Sequence, residues 1–214
     1  MKVKFQIMAI AGLFACYFMA SSCGGNVPTI PINVESMVVE LNDILVGSPA
    51  GIIAKGGGDE EPPLNTFSES RTISLESLKG ITADEMADIL KYQEQIVSAK
   101  AGSITIAITS TDEEAMIVRD FLLEADGFTN NIYVEQYDLG TPITPETADF
   151  TAFANELLMK LVMSSFTGLN EVTFNISGLT DVISGESLNV TITLGDVVFE
   201  AKVGEITNPI EPIE

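Results

Sequence analysis

Strict alternation of apolar and polar side chains recurs along the chain and predicts β-strands. The clearest case is the stretch 104–109, in which Ile alternates with Thr or Ala. Alternation with period two places one face of an extended chain in the core and the other face in solvent. The same kind of pattern predicts strands in further stretches, namely 32–41, 66–75, 115–124, 132–137, 172–177, 188–194 and 197–203.

Two of these places admit more than one structure. In 115–124 the spacing of Met116, Val118 and Leu122 favours a strand, although the acidic residues just before it would suit the first turn of a helix. We predict a strand there. At Gly195-Asp196 the apolar phase shifts from even to odd positions. A two-residue hairpin turn or a bulge within one long strand would each absorb that shift, and the sequence leaves both open.

Apolar side chains recur at helical spacing in two other segments. Thr82 and Glu85 form a capping-box pattern ahead of an amphipathic helix that we predict over 83–99, ending near Gly102. A second amphipathic helix is predicted to end before Gly168. The predicted buried faces are Met86, Ile89, Leu90, Gln93, Ile96 and Val97 in the first helix, and Phe150, Phe153, Ala154, Leu157, Leu158, Leu161 and Val162 in the second.

Eight candidate strands and two helices, without regular strand–helix–strand alternation, predict a mainly β protein of the α+β class. We expect an antiparallel β-sandwich, immunoglobulin-like in its general architecture, with helices packed across an open end or face. A tether (23–31) precedes a single β-rich domain (32–204), and an acidic tail (205–214) follows it. The longest predicted loop is the Gly- and Pro-rich stretch 47–63.

The first 22 residues have the layout of a secretory signal peptide. Lys2 and Lys4 precede an uncharged apolar stretch, and small residues follow it. About 14 apolar residues span only about 21 Å as a helix, whereas a bilayer core requires roughly 20 residues. This segment is therefore predicted to be a targeting signal that is removed.

The end of the leader resembles the bacterial lipobox, in which small residues precede an invariant Cys. The matching residues are Ala20-Ser21-Ser22-Cys23, with Ala20 where Leu is commonest. The resemblance implies cleavage before Cys23 and lipid on its thiol and amine, and two or three acyl chains make a stable anchor. Gly24 stands where Asp would retain a lipoprotein at the inner membrane. The resemblance therefore implies an outer-membrane anchor, with the periplasmic side favoured.

The remainder of the chain resembles small exported lipoproteins of Gram-negative bacteria that have β-sandwich domains. The resemblance is carried by the Ser/Thr-alternating strand before Leu75 and by the stretches 103–106, 137–142 and 188–194. It implies a fold and a location. It implies no activity, because that set of proteins has no general assigned one.

Charge argues against nucleic acid as a partner. The chain has 10 basic residues, of which Lys2 and Lys4 leave with the leader, and 31 acidic ones, so the mature chain has a formal charge of −23. Such a surface repels phosphate and lacks the basic patches that nucleic acids require. The predicted partners are a membrane, reached through the N-terminal lipid, and a protein or glycan.

Several enzyme classes lack their residues in this sequence. The chain has no His, which is the commonest general base and a common metal ligand. Cys16 leaves with the leader, and lipid occupies Cys23, the remaining cysteine. Neither Gly-x-Ser-x-Gly nor Ser-x-x-Lys occurs. We predict no catalytic residue and no cofactor.

Acidic runs are the remaining candidate sites. Asp59-Glu60-Glu61 and Asp112-Glu113-Glu114 are weak calcium candidates, because neither run has the ligand spacing of an EF-hand. Solvated loops are the preferred interpretation of both, and no metal is predicted. Tyr133 and Tyr137 would share one face of a strand, which indicates sheet packing rather than ligand stacking.

The function predicted from the sequence is a non-catalytic interaction or structural module on a cell-envelope lipoprotein. A carbohydrate- or calcium-binding lipoprotein is one alternative. A hydrolase that uses two carboxylates about 5–9.5 Å apart is another.

Overall fold

A computed structural model describes residues 28–49, 64–144, 148–166 and 171–203. The predicted signal peptide, Cys23, most of the predicted loop 47–63 and the predicted tail lie outside these residues. Short 3₁₀ turns follow β2 and α1 in the described part. The elements in chain order are β1 (Thr29–Pro49), β2 (Asn65–Ser74), α1 (Ala83–Tyr92), β3 (Ile96–Lys100), β4 (Ser103–Ser110), β5 (Ile117–Ala125), β6 (Ile132–Asp138), α2 (Ala148–Phe166), β7 (Glu171–Thr180) and β8 (Ser187–Lys202).

The strands form two antiparallel layers that are joined by β1. In the first layer β8 lies between β1 and an edge made by β3 and β4, and in the second the order is β2, β7, β5, β6. The last residues of β1 pair with β2, at Val46↔Phe67, and so connect the layers. This arrangement confirms the predicted antiparallel sandwich of the α+β class. That its general architecture is immunoglobulin-like stays a prediction.

Helix α2 packs its apolar face against strands of both layers, while Asp149 and Lys160 on its other side are exposed. It contacts β3 and β4 on one side and β6 and β7 on the other. The ring of Phe153 lies 6.4 Å from that of Phe174 on β7 and 5.4 Å from that of Phe128, measured between centroids. All seven apolar residues of the predicted face are buried, and each such side chain contributes about 1.5–3 kcal/mol relative to exposure. The predicted second helix is confirmed.

The first helix is shorter than predicted. Its capping box is present, with the backbone N–H of Glu85 donating to the Thr82 hydroxyl at 3.3 Å. The helix ends at Tyr92, and Ile96 and Val97, assigned to its apolar face, belong instead to β3. Ile96 pairs with Ala201 of β8. Tertiary pairing therefore overrides the helical spacing, and the β-branched residues favour that outcome.

Both ambiguous stretches are strands. The segment 115–124 corresponds to β5, as predicted, but Met116 precedes the strand and is 70% exposed. The buried face of β5 comprises Val118, Phe121 and Leu123 rather than the predicted Met116, Val118 and Leu122. At Gly195-Asp196 the chain continues as one strand, β8, so the hairpin alternative is wrong.

Three aspartates lie at points where the alternation of buried and exposed side chains along a strand shifts by one residue. In the described chain the non-glycine residues with positive φ are Asp43 (57°), Asp120 (49°) and Asp196 (51°). Asp adopts this left-handed conformation more readily than most residues because its short side chain can hydrogen-bond locally. An apolar residue two positions before and another one position after each Asp are buried. The sequences are Leu41-Asn42-Asp43-Ile44, Val118-Arg119-Asp120-Phe121 and Leu194-Gly195-Asp196-Val197.

Side chains satisfy the backbone where β1 bulges between Leu41 and Ile44. Arg71 donates from Nη2 to the carbonyl of Asp43 at 2.6 Å, and Glu69 accepts from the backbone N–H of Leu45 at 2.9 Å. The two side chains also form an ion pair with each other. This explains why charged residues occupy these positions in the alternating strand β2.

Strand β1 is longer than predicted at both ends. It begins at Thr29, within the predicted tether, and extends to Pro49, within the predicted loop. The backbone N–H of Val203, just after β8, donates to the carbonyl of Pro28 at 3.0 Å. No helix in the described ranges is long and apolar enough to cross a membrane.

Candidate binding site on strands β5 and β6

Strands β5 and β6 change phase together. They stay in one-to-one register through Arg119↔Gln136 and Phe121↔Val134, whereas β5 carries an extra residue relative to β7 at the same level. The bulge in β5 lies at Asp120, whose backbone adopts the left-handed conformation. Residues paired across an antiparallel ladder lie on the same face, so a phase change in β5 requires one in β6.

The consequence is that each strand directs two successive side chains away from the core. Val118 and Phe121 of β5 and Tyr137 of β6 are buried. Between them, Asp120, Glu135 and Gln136 are exposed and Arg119 is half-buried. Two strands in regular alternation would direct only half as many side chains outward at this level. The bulge therefore concentrates polar groups on the outer face.

These four side chains line an open depression of about 790 Å³, which we call the β5–β6 depression: Arg119, Asp120, Glu135 and Gln136. The carboxylates of Asp120 and Glu135 accept hydrogen bonds, the guanidinium of Arg119 donates them, and the carboxamide of Gln136 does both. Groups of both charges and a neutral amide thus occur together. Such a set of side chains is suited to a ligand that both donates and accepts hydrogen bonds.

Tyr133 is connected to the β5–β6 depression through Asp120, one of the residues that line it. Its hydroxyl donates to Asp120 Oδ1 at 2.8 Å, and the side chain is 53% exposed. This hydrogen bond raises the pKa of Tyr133, with desolvation and the negative charges of Asp120 and Glu135 acting in the same direction. The phenol therefore stays neutral at physiological pH and keeps its hydrogen bond.

A second depression, of about 270 Å³, lies beside the loop between β5 and β6. Its polar groups are used within the protein. Glu156 of α2 accepts from the backbone N–H of Thr129 at 2.9 Å and from the side chain of Asn130 at 3.2 Å. Asn175 donates to Asp126 Oδ1 at 3.0 Å. These bonds hold the loop against α2 and β7.

The acidic runs considered as calcium candidates do not form a site in the described residues. Asp112 accepts from the backbone N–H of Glu114 at 3.0 Å and from that of Ile183 at 3.1 Å, so its carboxylate stabilises a turn. Glu113 and Glu114 are exposed. No cluster of three His, Cys, Asp or Glu suited to a metal occurs in the described part. Asp59, Glu60, Glu61 and Cys23, the predicted lipidation residue, lie outside it.

Sequence reasoning missed the residues of the β5–β6 depression. It also placed Tyr133 and Tyr137 on one face, which is wrong because the phase change separates them. Tyr137 is buried, and its hydroxyl accepts from the backbone N–H of Ile108 at 2.9 Å. The signal that would have found the site is the spacing Val118-Arg119-Asp120-Phe121, in which Asp stands at a one-residue shift of the apolar phase.

Comparison with known proteins provides no family. No protein-family model matches the chain, and no curated protein matches it. Among solved structures, a chain from Desmodium yellow mottle tymovirus is similar with a TM-score of 0.35 and 12% sequence identity, over 86% of this chain and 94% of that one. Similarity at this level supports no conclusion about fold or function.

Proposed function

We propose that this chain is a cell-envelope lipoprotein whose β-sandwich acts as a non-catalytic interaction module. The observation that supports the interaction role is the β5–β6 depression, where polar side chains of both charges meet on an open face beside Tyr133. Aromatic side chains with a polar tip are frequent at recognition surfaces, because one part of them is apolar and the other forms hydrogen bonds.

The proposed anchor is lipid on Cys23 in the outer membrane, with the domain facing the periplasm. The lipobox resemblance supports this, and the start of β1 is compatible with it. Thr29 is six residues after Cys23, and six extended residues reach at most about 22 Å. Under this proposal the sheet end that contains Thr29 and its partner Lys202 would lie close to the membrane.

Lipid labelling of the full chain in a Gram-negative host tests the anchor. A clickable palmitate analogue should label the wild-type chain, and Cys23→Ser should abolish the label and leave an uncleaved or soluble chain. Cys16→Ser, which changes the other cysteine within the leader, is the matched control and should remain labelled. A Cys23→Ser chain that stays membrane-bound and is trimmed normally would contradict the anchor.

Turnover assays test the non-catalytic role. We expect the purified full chain to unfold cooperatively and to show no turnover on a panel of esters, glycosides and peptides. Turnover that is lost in Asp120→Asn or Glu135→Gln would instead establish a carboxylate hydrolase at the β5–β6 depression. Turnover that both variants retain would also exclude the non-catalytic role, and would locate the chemistry elsewhere.

A further inference from the structure

We propose that the β5–β6 depression binds a glycan, with Tyr133 as the stacking surface and the four lining side chains as the hydrogen-bonding groups. This inference rests on the proposed interaction role and specifies its ligand class. The proposed site consists largely of side chains that lie outside the core. Asp120, Glu135 and Gln136 are exposed, and Tyr133 is 53% exposed.

The chemical argument begins with the hydroxyl groups of a sugar. Each hydroxyl both donates and accepts, so a sugar site needs donors and acceptors side by side. Carboxylate, carboxamide and guanidinium groups are planar and carry two or more polar atoms, which lets one side chain engage two neighbouring hydroxyls. Asp120, Glu135, Gln136 and Arg119 provide all three kinds of group in one depression.

Tyr133 supplies the apolar surface that such a site also requires. One face of a pyranose presents C–H groups, and an aromatic ring can cover them while its hydroxyl remains hydrogen-bonded. The hydrogen bond to Asp120, 2.8 Å long, fixes the ring beside the depression before a ligand arrives. Tyr has only two side-chain torsions to restrict, so little conformational entropy is lost on binding.

The charges of the site favour a neutral sugar over an ionic ligand. Asp120 and Glu135 would repel phosphate or sulfate, as would the net charge of −21 of the chain. A lone cation such as calcium would find no cluster of three ligating side chains in the described residues. A basic peptide would be attracted by Asp120 and Glu135 but repelled by Arg119. A neutral glycan has no such conflict.

Binding measurements on the full chain test the proposal. The protein should be prepared in a detergent without a sugar headgroup and screened against immobilised neutral oligosaccharides based on glucose, xylose, mannose and galactose, and then titrated calorimetrically with the best of them. We expect Tyr133→Ala to weaken binding by about tenfold or more, and Tyr133→Phe, which keeps the ring, by about threefold or less. Glu135→Gln and Gln136→Ala should each weaken it severalfold.

Matched controls are available on other surfaces. Leu90→Ala changes an exposed apolar residue on α1, and Glu113→Gln changes an exposed carboxylate in the turn before β5. Both should bind as the wild type does. Because Tyr133 is exposed, Tyr133→Ala should keep the cooperative unfolding transition, which separates loss of binding from loss of fold.

Three results would overturn the proposal. They are wild-type protein that binds none of the oligosaccharides, binding that Tyr133→Ala leaves unchanged, and binding of an oligolysine probe in place of every sugar. In each case the labelling of Cys23 and the absence of turnover would be unaffected. Failure of the glycan site is therefore distinguishable from failure of the proposed envelope module.

Discussion

Asp196 and Gly102 lie side by side where β8 changes phase. Asp196 has a φ of 51°, and a Cβ placed on Gly102 would lie 2.9 Å from the Cβ of Asp196. Gly102 also donates its backbone N–H to the carbonyl of Gly195 at 2.9 Å. The glycine is therefore required because the chain between β3 and β4 passes close to β8 where β8 changes phase.

We predict that the cost of Gly102→Ala depends on residue 196. The single substitution should lower the free energy of unfolding by about 1–3 kcal/mol because of the clash. Asp196→Gly should be close to neutral, since it removes a left-handed strain of about 1–2 kcal/mol but adds freedom to the unfolded chain. Urea unfolding of the two single variants and the double variant measures the coupling.

In the double variant the Ala side chain would meet only ordinary contacts, so Gly102→Ala should cost clearly less there. The same cost in both backgrounds would show that the close approach to Asp196 is not what excludes a side chain at position 102. Asp196→Val provides a second check. Because a β-branched residue is strained at positive φ, Asp196→Val should lower the free energy of unfolding, whereas Asp196→Gly should not.

Ile108 of β4 pairs with Val190 of β8, and its backbone N–H is satisfied by the hydroxyl of Tyr137. That hydroxyl is buried and accepts the backbone N–H of Ile108 at 2.9 Å. Tyr137→Phe would leave that N–H buried without an acceptor, and we expect a loss of about 1–3 kcal/mol in the free energy of unfolding. Tyr92→Phe, a half-buried control, should cost less. Equal costs would indicate that the Ile108 bond contributes little.

The loop between β5 and β6 depends on helix α2 through Glu156. Burial alone would raise the pKa of Glu156, but hydrogen bonds donated by Thr129 and Asn130 outweigh it and the pKa is lowered. A lowered pKa in the folded state stabilises the fold above the unfolded value of about 4.3. That stabilisation is lost as the pH falls through the folded pKa.

We therefore predict a pH-dependent effect of Glu156→Gln. The variant should have a lower urea midpoint than the wild type at pH about 7, and the two midpoints should converge as the pH falls below about 4. Glu113→Gln, in an exposed turn, is the control and should show no lowered urea midpoint at pH about 7. A Glu156→Gln deficit that persists undiminished at acid pH would exclude the carboxylate charge as its cause.

Elements whose signals are local were predicted correctly. The capping box of Thr82 and Glu85 marks the start of α1, and the wide apolar face of α2 marks a helix whatever surrounds it. The prediction was wrong for the C-terminal half of the first helix because Ile96 fits both the helical period of 3.6 residues and the strand period of two. Pairing with β8 decided it, and that pairing joins residues about a hundred positions apart.

At the scale of the whole molecule, negative charge opposes folding. The 31 acidic residues greatly outnumber the basic ones, and a large net charge destabilises a compact state through self-repulsion. We predict that the thermal midpoint rises between about 0.01 M and about 0.15 M salt, as the screening length falls from about 30 to about 8 Å. A midpoint that falls with salt would show that favourable ion pairs dominate instead.

The variant Glu113→Gln/Glu114→Gln tests the destabilising effect of negative charge by substitution rather than by screening. Both side chains are exposed, so the substitution removes charge with little change in packing. It should raise the midpoint at low salt and reduce its dependence on salt. If the midpoint of the variant depends on salt as much as that of the wild type, these two charges are too far from other acidic groups to contribute to the repulsion.

The sequence by itself determined the class of the fold and most of its strands and helices. It also carries the pattern from which a lipoprotein leader is predicted. These rest on periodicity and short motifs, which act over a few residues. Only the tertiary structure decided the rest: that β8 continues through Gly195-Asp196, that the chain after Tyr92 becomes a strand, and that Arg119, Asp120, Glu135 and Gln136 meet beside Tyr133. The reason is physical. A bulge moves side chains to a new face only relative to the neighbouring strands, and a sequence pattern does not contain those neighbours.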